Sequence, residues 1–183
     1  YYLNAKVNFK QIQLSKRTNQ ILKKDDSSIF TSDQDGVIYL RELKTNQILN
    51  TLPIKNRNLI IKLTTDKNKN FIFSASDNIV VIYSFETLEY ISTIQVDGKI
   101  NSINDINSDS IAITYNYKIS IYNILENRLI AEYSYEENEE IKDILSYEDN
   151  KFIVISNRYS FFTFENGSIN KVYSSSTEKN YSK

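Results

Sequence analysis

A pattern of apolar strands and polar turns returns about every forty residues along this 183-residue chain. The middle positions of its four copies are Arg41, Tyr83, Tyr122 and Phe162, which lie 42, 39 and 40 residues apart. A constant period of this length, built from short strands, is typical of proteins that repeat one supersecondary unit. The chain is therefore expected to use one structural unit four times. The aligned segments are GVIYLRELKTN (36–46), NIVVIYSFETL (78–88), YKISIYNILEN (117–127) and RYSFFTFENG (158–167).

Each unit divides into four short runs rich in Ile, Val, Phe and Tyr, separated by clusters of Asn, Asp, Ser and Lys. Such runs predict antiparallel strands joined by short turns, here named a, b, c and d in chain order. A four-stranded sheet needs neighbours to cover it, so the pattern favours an all-β fold, a β-propeller of four-stranded antiparallel blades. The a strands of the second and fourth units are predicted at 59–63 and 141–145. The blades are predicted at residues 20–52, 59–94, 100–133 and 141–173.

The composition of the strands predicts how each blade is buried. The b strands FIFSA (71–75), IAIT (111–114) and FIVIS (152–156) are almost wholly apolar, which predicts cover on both faces. The d strands alternate more between apolar and polar residues, which predicts outer strands with one face in water. Because the chain has only three glycines, Asn and Asp are expected at the turn positions that need a positive φ.

Charge and residue usage argue against several classes of function. The 22 basic and 23 acidic residues give a net charge of −1, whereas nucleic-acid binding needs a basic surface. The chain has no run of about 18 apolar residues that could cross a membrane. Neither nucleic acid nor a membrane is therefore expected as a partner. The chain has no Cys and no His, which removes thiolate metal sites and the usual general base near neutral pH. No enzymatic activity, metal or cofactor is predicted, and the compartment, cytoplasmic or periplasmic, stays open.

The c strand of each unit resembles the WD40 repeat, in which this strand typically reads G-x-V-x-L-W-D-L-x-T-G. In the first unit, Arg41 stands at the usual Trp position and Asn46 at the final Gly. Later units keep only the aromatic half of the Trp-Asp pair, as Tyr83, Tyr122 and Phe162, and the family's Gly-His pair is missing. The resemblance implies a propeller that serves as a scaffold for protein–protein interactions. The positions of the first unit that match are Gly36, Ile38, Leu40, Glu42, Leu43 and Thr45.

A second resemblance is to the pyrroloquinoline-type propeller repeat, G-x-x-Y-A-L-D-x-x-T-G. Gly36, Tyr39, Glu42 and Thr45 match it, but the later units lose most of the signature. That family includes bacterial periplasmic accessory proteins and quinone enzymes. It therefore implies an alternative function in which any chemistry lies outside these residues, and we rank it second.

Four blades are fewer than the six or seven that WD40 propellers usually have, and propellers in general have about four to eight. The chain is therefore expected to be part of a larger propeller of about six to eight blades. Residues 6–14 resemble a lone strand, so residues 1–14 are predicted to form the outer strand of a preceding blade or a strand that closes the ring. Residues 174–183, rich in Ser and Lys, are predicted to be a frayed end.

Two polar segments have a structural and a functional interpretation. DQDG (33–36) resembles the start of a calcium loop but lacks the remaining ligands, so a b–c hairpin turn with Gly36 at positive φ is favoured. The acidic run Glu136, Glu137, Glu139 and Glu140 lies between the third and fourth units. A solvated loop is expected there. The alternative is a contact for a basic partner, which would raise the association rate more than the affinity.

The b–c turns of the third and fourth units are the predicted binding site. In a propeller these turns meet the d–a connections on one face, and Tyr and Arg are enriched where binding energy concentrates at interfaces. We therefore expect another protein or a peptide to bind this face. An equally favoured alternative is that Tyr117 and Tyr159 begin c strands and pack between blades. The predicted binding residues are Tyr115, Asn116, Tyr117, Asn157, Arg158 and Tyr159.

Overall fold

The computed structural model describes residues 18–55, 57–135 and 139–175, and these ranges contain sixteen β-strands and no helix. The first sheet contains β1 (Thr18–Lys23), β2 (Ser28–Asp33), β3 (Ile38–Glu42) and β4 (Ile48–Thr51). The second contains β5 (Lys62–Thr65), β6 (Phe71–Ser76), β7 (Ile79–Ser84) and β8 (Tyr90–Gln95). The third contains β9 (Ile100–Asn107), β10 (Ser110–Tyr115), β11 (Lys118–Asn123) and β12 (Arg128–Ser134). The fourth contains β13 (Asp143–Glu148), β14 (Lys151–Ile155), β15 (Tyr159–Glu165) and β16 (Ser168–Ser174).

Each sheet is a blade whose four strands are hydrogen-bonded antiparallel in chain order. The first strands of the blades, β1, β5, β9 and β13, lie side by side on the inner edge. The last strands form the outer edge, where β4 is exposed along its whole length. The prediction of an all-β protein made of four-stranded antiparallel blades is confirmed.

The hydrophobic core lies between neighbouring blades rather than within one sheet. Because alternate residues of a strand point to opposite faces, β6 places Ile72 between blades one and two and Phe73 between blades two and three. In blade three, Ile113 faces blade two and Ala112 faces blade four. All four side chains are fully buried. Blades two and three are thus covered on both faces, as the apolar b strands FIFSA and IAIT predict.

Blade four has one face that no other described sheet covers. Leu145, Ile153, Phe161 and Tyr173 form a row across this face, with one residue from each strand in register. Leu145 is 40% exposed and Tyr173 is 55% exposed. The prediction that FIVIS is covered on both faces is therefore wrong, because blade three packs against only one face of this sheet.

Asn and Asp supply most of the positive φ angles in the turns, as expected from the scarcity of glycine. In the DQDG turn, Gly36 has a φ of 76°. The Asp33 carboxylate accepts hydrogen bonds from the N–H groups of Asp35 and Val37 and from the Tyr39 hydroxyl. This segment is a hairpin turn held by its own acceptor, as predicted. The described non-glycine residues with positive φ are Asn46, Lys69, Asp77, Leu88, Asn116, Asn127, Asn150 and Asn166.

Two a strands begin later than predicted. β5 begins at Lys62 and β13 at Asp143, although the predictions placed these starts at 59 and 141. Ile60 and Ile141 lie in the preceding connections, yet they are 3% and 1% exposed and belong to the interblade cores. Their apolar character reflects burial by the neighbouring blade rather than strand pairing.

Some predictions fall outside the described residues. These are the predicted strand at 6–14, the acidic residues Glu136 and Glu137, and positions 176–183 of the predicted frayed end. The first residues of that end are described: Ser174 is the last residue of β16, and the N–H of Ser175 donates to the Tyr159 carbonyl at 3.0 Å. The outer strand of blade four thus extends further along the chain than the sequence suggests.

Candidate functional site

The b–c turns and the d–a connections meet on one face of the blades, here called the loop face. The N–H of Ile100, after the second connection, donates to the carbonyl of Asp77 in the b–c turn of blade two. One blade further on, the N–H of Tyr135 donates to the carbonyl of Tyr117 at 2.6 Å. Each turn is therefore tied to the connection beside it, which fixes the backbone that carries the predicted binding residues.

The turn of blade three places its three predicted residues in different environments. Tyr117 is 42% exposed. Asn116 adopts a φ of 50°, and its side-chain amide donates to the carbonyl of Asp97 at 3.3 Å. Tyr115 ends β10 and is only 4% exposed. Only Tyr117 presents a large accessible side chain here, while Asn116 fastens the turn to the neighbouring connection.

Tyr115 belongs to a polar network inside blade three. Its hydroxyl donates to Glu132 Oε2 at 3.0 Å and accepts a hydrogen bond from Ser120 Oγ. Lys118 Nζ lies 2.8 Å from the other Glu132 oxygen, and this hydrogen bond is the main cause that lowers the pKa of Glu132. Burial raises the pKa of the Tyr115 phenol, and the Glu132 carboxylate raises it further. Tyr115 therefore stabilises the blade, and its ring is not accessible to a partner.

The turn of blade four is held by an ion pair that joins two predicted segments. The Arg158 guanidinium pairs with Glu139 Oε1, and Ser156 Oγ donates to Glu139 Oε2. The hydrogen bond from Arg158 is the main cause that lowers the pKa of Glu139. Asn157 is exposed, and its side-chain oxygen accepts a hydrogen bond from Lys142 Nζ at 3.5 Å. Through this ion pair, Arg158 holds the connection before β13 next to the b–c turn of blade four.

The two exposed tyrosines do not pack between blades. Tyr159 is 50% exposed, and its ring meets the edge of Phe161 with the centroids 6.1 Å apart. Neither Tyr117 nor Tyr159 belongs to any of the three interblade cores. The alternative in which both rings are buried in the interfaces is not what the structure shows.

The acidic run is not uniformly solvated where it is described. The side chain of Glu139 is 13% exposed and paired with Arg158, whereas Glu140 is exposed. Glu139 thus contributes to the architecture of the loop face, and among the described residues of the run only Glu140 fits the expectation of a solvated charge.

The connection between blades one and two adds exposed apolar residues that lie outside the predicted binding turns. Ile54 and Leu59 are 49% and 50% exposed. Ile54 and Arg57 line one cavity of about 310 Å³ beside the first b–c turn. Leu59 lines another of about 340 Å³, together with Lys99. The signal in the sequence was the PIKNRNLI segment (53–60), which combines apolar and basic residues, although its last two residues fall within the predicted a strand at 59–63.

Two kinds of site are not found among the described residues. No group of three or more His, Cys, Asp or Glu side chains is arranged to hold a metal ion in residues 18–55, 57–135 and 139–175. The same part of the chain has no helix long and apolar enough to cross a membrane.

No family model matches the sequence, and a comparison with curated proteins finds no match. Solved structures are similar to it over most of its length. The crystal structure of the RRP9 WD40 repeats superposes with a TM-score of 0.73 at 11% identity, over 88% of this chain and 52% of that one. The chain has a WD40-like propeller fold. The structure of U3-55K gives a TM-score of 0.73 at 11% identity, over 88% and 53% of the two chains.

The crystal structure of a mitotic checkpoint complex gives a TM-score of 0.75 at 11% identity, over 87% of this chain and 53% of that one. The chain thus spans about half the length of these WD40 structures. Identities this low show the fold alone. Of the two resemblances noted in the sequence, it is the WD40 repeat that the matched structures share.

The WD40-like blades fill the usual Trp position in three different ways. Arg41 is 6% exposed, and its Nε donates to Thr31 Oγ1 at 3.1 Å. The Tyr83 hydroxyl donates to the carbonyl of Pro53 at 3.0 Å, and burial raises the pKa of this phenol to about 12. Phe162 is fully buried between blades three and four. Each residue therefore has its own partners, although the register of the repeat is kept.

Proposed function

We propose that this WD40-like protein is a non-catalytic scaffold that binds another protein or a peptide through its loop face. The observation that carries the proposal is the pair of exposed tyrosines on adjacent blades, Tyr117 in the b–c turn of blade three and Tyr159 at the start of β15, directly after the b–c turn of blade four. Tyrosine combines a large apolar area with a hydroxyl at low entropic cost, and it is enriched in binding hot spots. The turns that carry both rings are held by hydrogen bonds to neighbouring segments, so less ordering is needed on binding.

The charges around the tyrosines support a protein partner with an apolar or mixed surface. Arg158 and Glu139 neutralise each other beneath the fourth turn, so the guanidinium contributes to preorganisation as well as to contact. On the other side of the face, Ile54 and Leu59 extend the apolar surface. The absence of His and Cys from the sequence agrees with a role in binding rather than in acid–base or nucleophilic chemistry.

Replacing either exposed tyrosine is expected to weaken partner binding strongly. A partner would be isolated by capture on the immobilised protein, and its Kd measured for wild type, Tyr117→Ala and Tyr159→Ala by calorimetry. A loss of about 30-fold in each variant follows from about 2 kcal/mol for a buried aromatic anchor. Tyr115 is unsuitable for this test, because its truncation would disturb the network inside blade three.

Two matched variants control this experiment. Leu125→Ala removes a 70% exposed leucine in the c–d turn of blade three, at the opposite end of its sheet from the b–c turn, and should leave the Kd unchanged. Glu140→Ala removes an exposed charge of the acidic run and should cost less than about 1 kcal/mol, with an effect that high salt abolishes. If Glu140→Ala dominates and the tyrosine variants bind like wild type, the site is electrostatic and the proposed anchors are wrong.

A further inference from the structure

A cavity of about 320 Å³, lined mainly by charged and polar residue types, opens at the end of the blades opposite the loop face. It lies where the inner strands β5, β9 and β13 end, so three successive blades contribute to it. The cavity shares no residue with the turns that carry Tyr117 and Tyr159. The residues that determine its chemistry are Asp66, Lys67, Asp105, Tyr147, Glu148 and Asp149.

Asp66 brings an unsatisfied acceptor to this cavity. The residue is only 1% exposed, and its Oδ1 accepts a hydrogen bond from the N–H of Phe71 at 2.6 Å. The other carboxylate oxygen, Oδ2, is buried and has no hydrogen-bond donor among the described residues. Buried carboxylate oxygens normally have donors, because loss of hydration is costly without them. Because Asp66 lines the cavity, a ligand bound there that draws the carboxylate toward it could supply the missing donor.

Asp105 adds a second carboxylate to the same cavity. Its Oδ2 accepts a hydrogen bond from the backbone N–H of Lys67 at 3.0 Å. Burial is the main cause that raises the pKa of Asp105, and the Asp66 carboxylate raises it further. A partly buried carboxylate with a second carboxylate nearby favours a positively charged ligand.

The lysines that line the cavity are engaged elsewhere. Lys67 Nζ forms an ion pair with Asp149 at 2.9 Å, in which both side chains are 70% exposed. Lys69 Nζ donates to the carbonyl of Lys24 and lies 5.8 Å from the centre of the Phe85 ring. Lys67 also attracts the Asp105 carboxylate and so lowers its pKa against the effect of burial. The lining nevertheless carries more acidic than basic side chains, with the carboxylates of Asp66, Asp105, Glu148 and Asp149 against Lys67 and Lys69.

We propose that this cavity binds the cationic side chain of a protein partner, an arginine or a lysine, with Asp66 and Asp105 as its acceptors. A guanidinium carries five N–H donors and an ammonium three, so either can supply the donor that Asp66 Oδ2 lacks. Tyr147, which is 48% exposed at the edge of the cavity, offers a ring over which the aliphatic stem or the cation can lie. The scaffold would then have two contact areas, one at each end of the blades.

The test uses the peptide Ac-Gly-Arg-Gly-NH₂ and its citrulline counterpart, which has nearly the same shape and no charge. Both are titrated into the ¹³C-labelled protein at about 0.15 M salt, where long-range attraction is screened. We expect the arginine peptide to shift the carboxyl resonances of Asp66 and Asp105 with a Kd of about 1 mM, and the citrulline peptide to bind at least 10-fold more weakly. Equal shifts with both peptides would overturn the proposal.

Asp66→Asn and Asp105→Asn should each weaken binding of the arginine peptide by about 10-fold. Both variants keep an oxygen that can accept the existing backbone hydrogen bond, and unchanged melting temperatures would show that the turns are intact. Asp26→Asn is the matched control, because Asp26 lies in the a–b turn of blade one with a side chain that is 98% exposed. If Asp66→Asn fails to fold, Asp105→Asn alone decides.

Wild-type affinity of the Asp105→Asn variant for the arginine peptide would contradict the proposal. So would an equal loss of affinity in the Asp26→Asn variant. The proposal would also be wrong if Mg²⁺ or Ca²⁺, but not the arginine peptide, shifted the carboxyl resonances of Asp66 and Asp105. Tyr117→Ala should leave the titration unchanged. This result separates the cavity from the loop face, so the failure of one site can be recognised without failure of the other.

Discussion

Phe162→Ala is expected to lower the free energy of unfolding by about 3–5 kcal/mol, the usual loss for truncating a fully buried aromatic residue. Phe162 has no exposed surface and lies in the core between blades three and four. Its ring stacks on Phe152 with the centroids 5.5 Å apart and meets the edge of Tyr133 at 5.2 Å. Alanine would leave a cavity that the two sheets can close only by moving together. Urea denaturation followed by far-UV circular dichroism measures the loss.

The adjacent residue provides the matched control. Phe161 points to the opposite face of β15, where no described sheet covers it and where it contacts Tyr147, Tyr159 and Tyr173 at about 6 Å. Phe161→Ala should therefore lower the free energy of unfolding by only about 1–2 kcal/mol, because a partly buried ring gains less than the ~1.5–3 kcal/mol of full burial. If the two substitutions cost the same, or if Phe161→Ala costs more, the faces of this blade are assigned wrongly, because a slip of one residue exchanges them.

Asp33→Ala is expected to lower the free energy of unfolding by about 2–3 kcal/mol, because it removes the hydrogen-bond acceptor at the centre of the first b–c turn. Asp33 is 2% exposed, and its carboxylate accepts hydrogen bonds from the N–H groups of Asp35 and Val37 at 2.9 and 3.0 Å and from the Tyr39 hydroxyl at 3.0 Å. Hydrogen bonds to a charged group contribute about 1.5–3 kcal/mol, and groups left without a partner add a cost. The same denaturation experiment measures this change.

Two further substitutions separate the roles of the carboxylate oxygens. Asp33→Asn retains one oxygen for the turn N–H groups and should recover about half of the loss. Tyr39→Phe removes only the hydroxyl bond and should cost about 1 kcal/mol. Wild-type stability of Asp33→Ala would show that the turn forms without this acceptor.

The period of the sequence was sufficient to predict the blades, because each repeat contributes the same four strands and needs neighbouring blades for its core. The start of β5 could not be predicted from the sequence in the same way. Ile60 and Ile61 are as apolar as strand residues, but they lie in a connection, where Ile60 packs into the core between blades one and two. Burial between sheets and pairing within a sheet select the same residue types, so composition alone cannot distinguish them.

The candidate site was predictable only in part. Ile111, Ile113 and Tyr115 share one face of β10 and all enter the core between blades two and three, so alternation along the strand could have predicted that Tyr115 is buried. The ion pair of Arg158 with Glu139 depends on the path of the connection before β13, which carries no periodic signal. The same holds for the meeting of Asp66 and Asp105, because Asp66 follows β5 of blade two and Asp105 lies in β9 of blade three.

Hydrogen exchange of the free protein, followed by mass spectrometry of its peptides, tests most directly whether the core lies between stacked blades. The slowest amides should belong to β6, β7, β10 and β11, because blades two and three are covered on both faces and open only in the largest unfolding events. The exposed outer strands β4 and β16 should exchange fastest among the strands. Protection that is equal in all four sheets, or greatest in β4 and β16, would contradict this architecture.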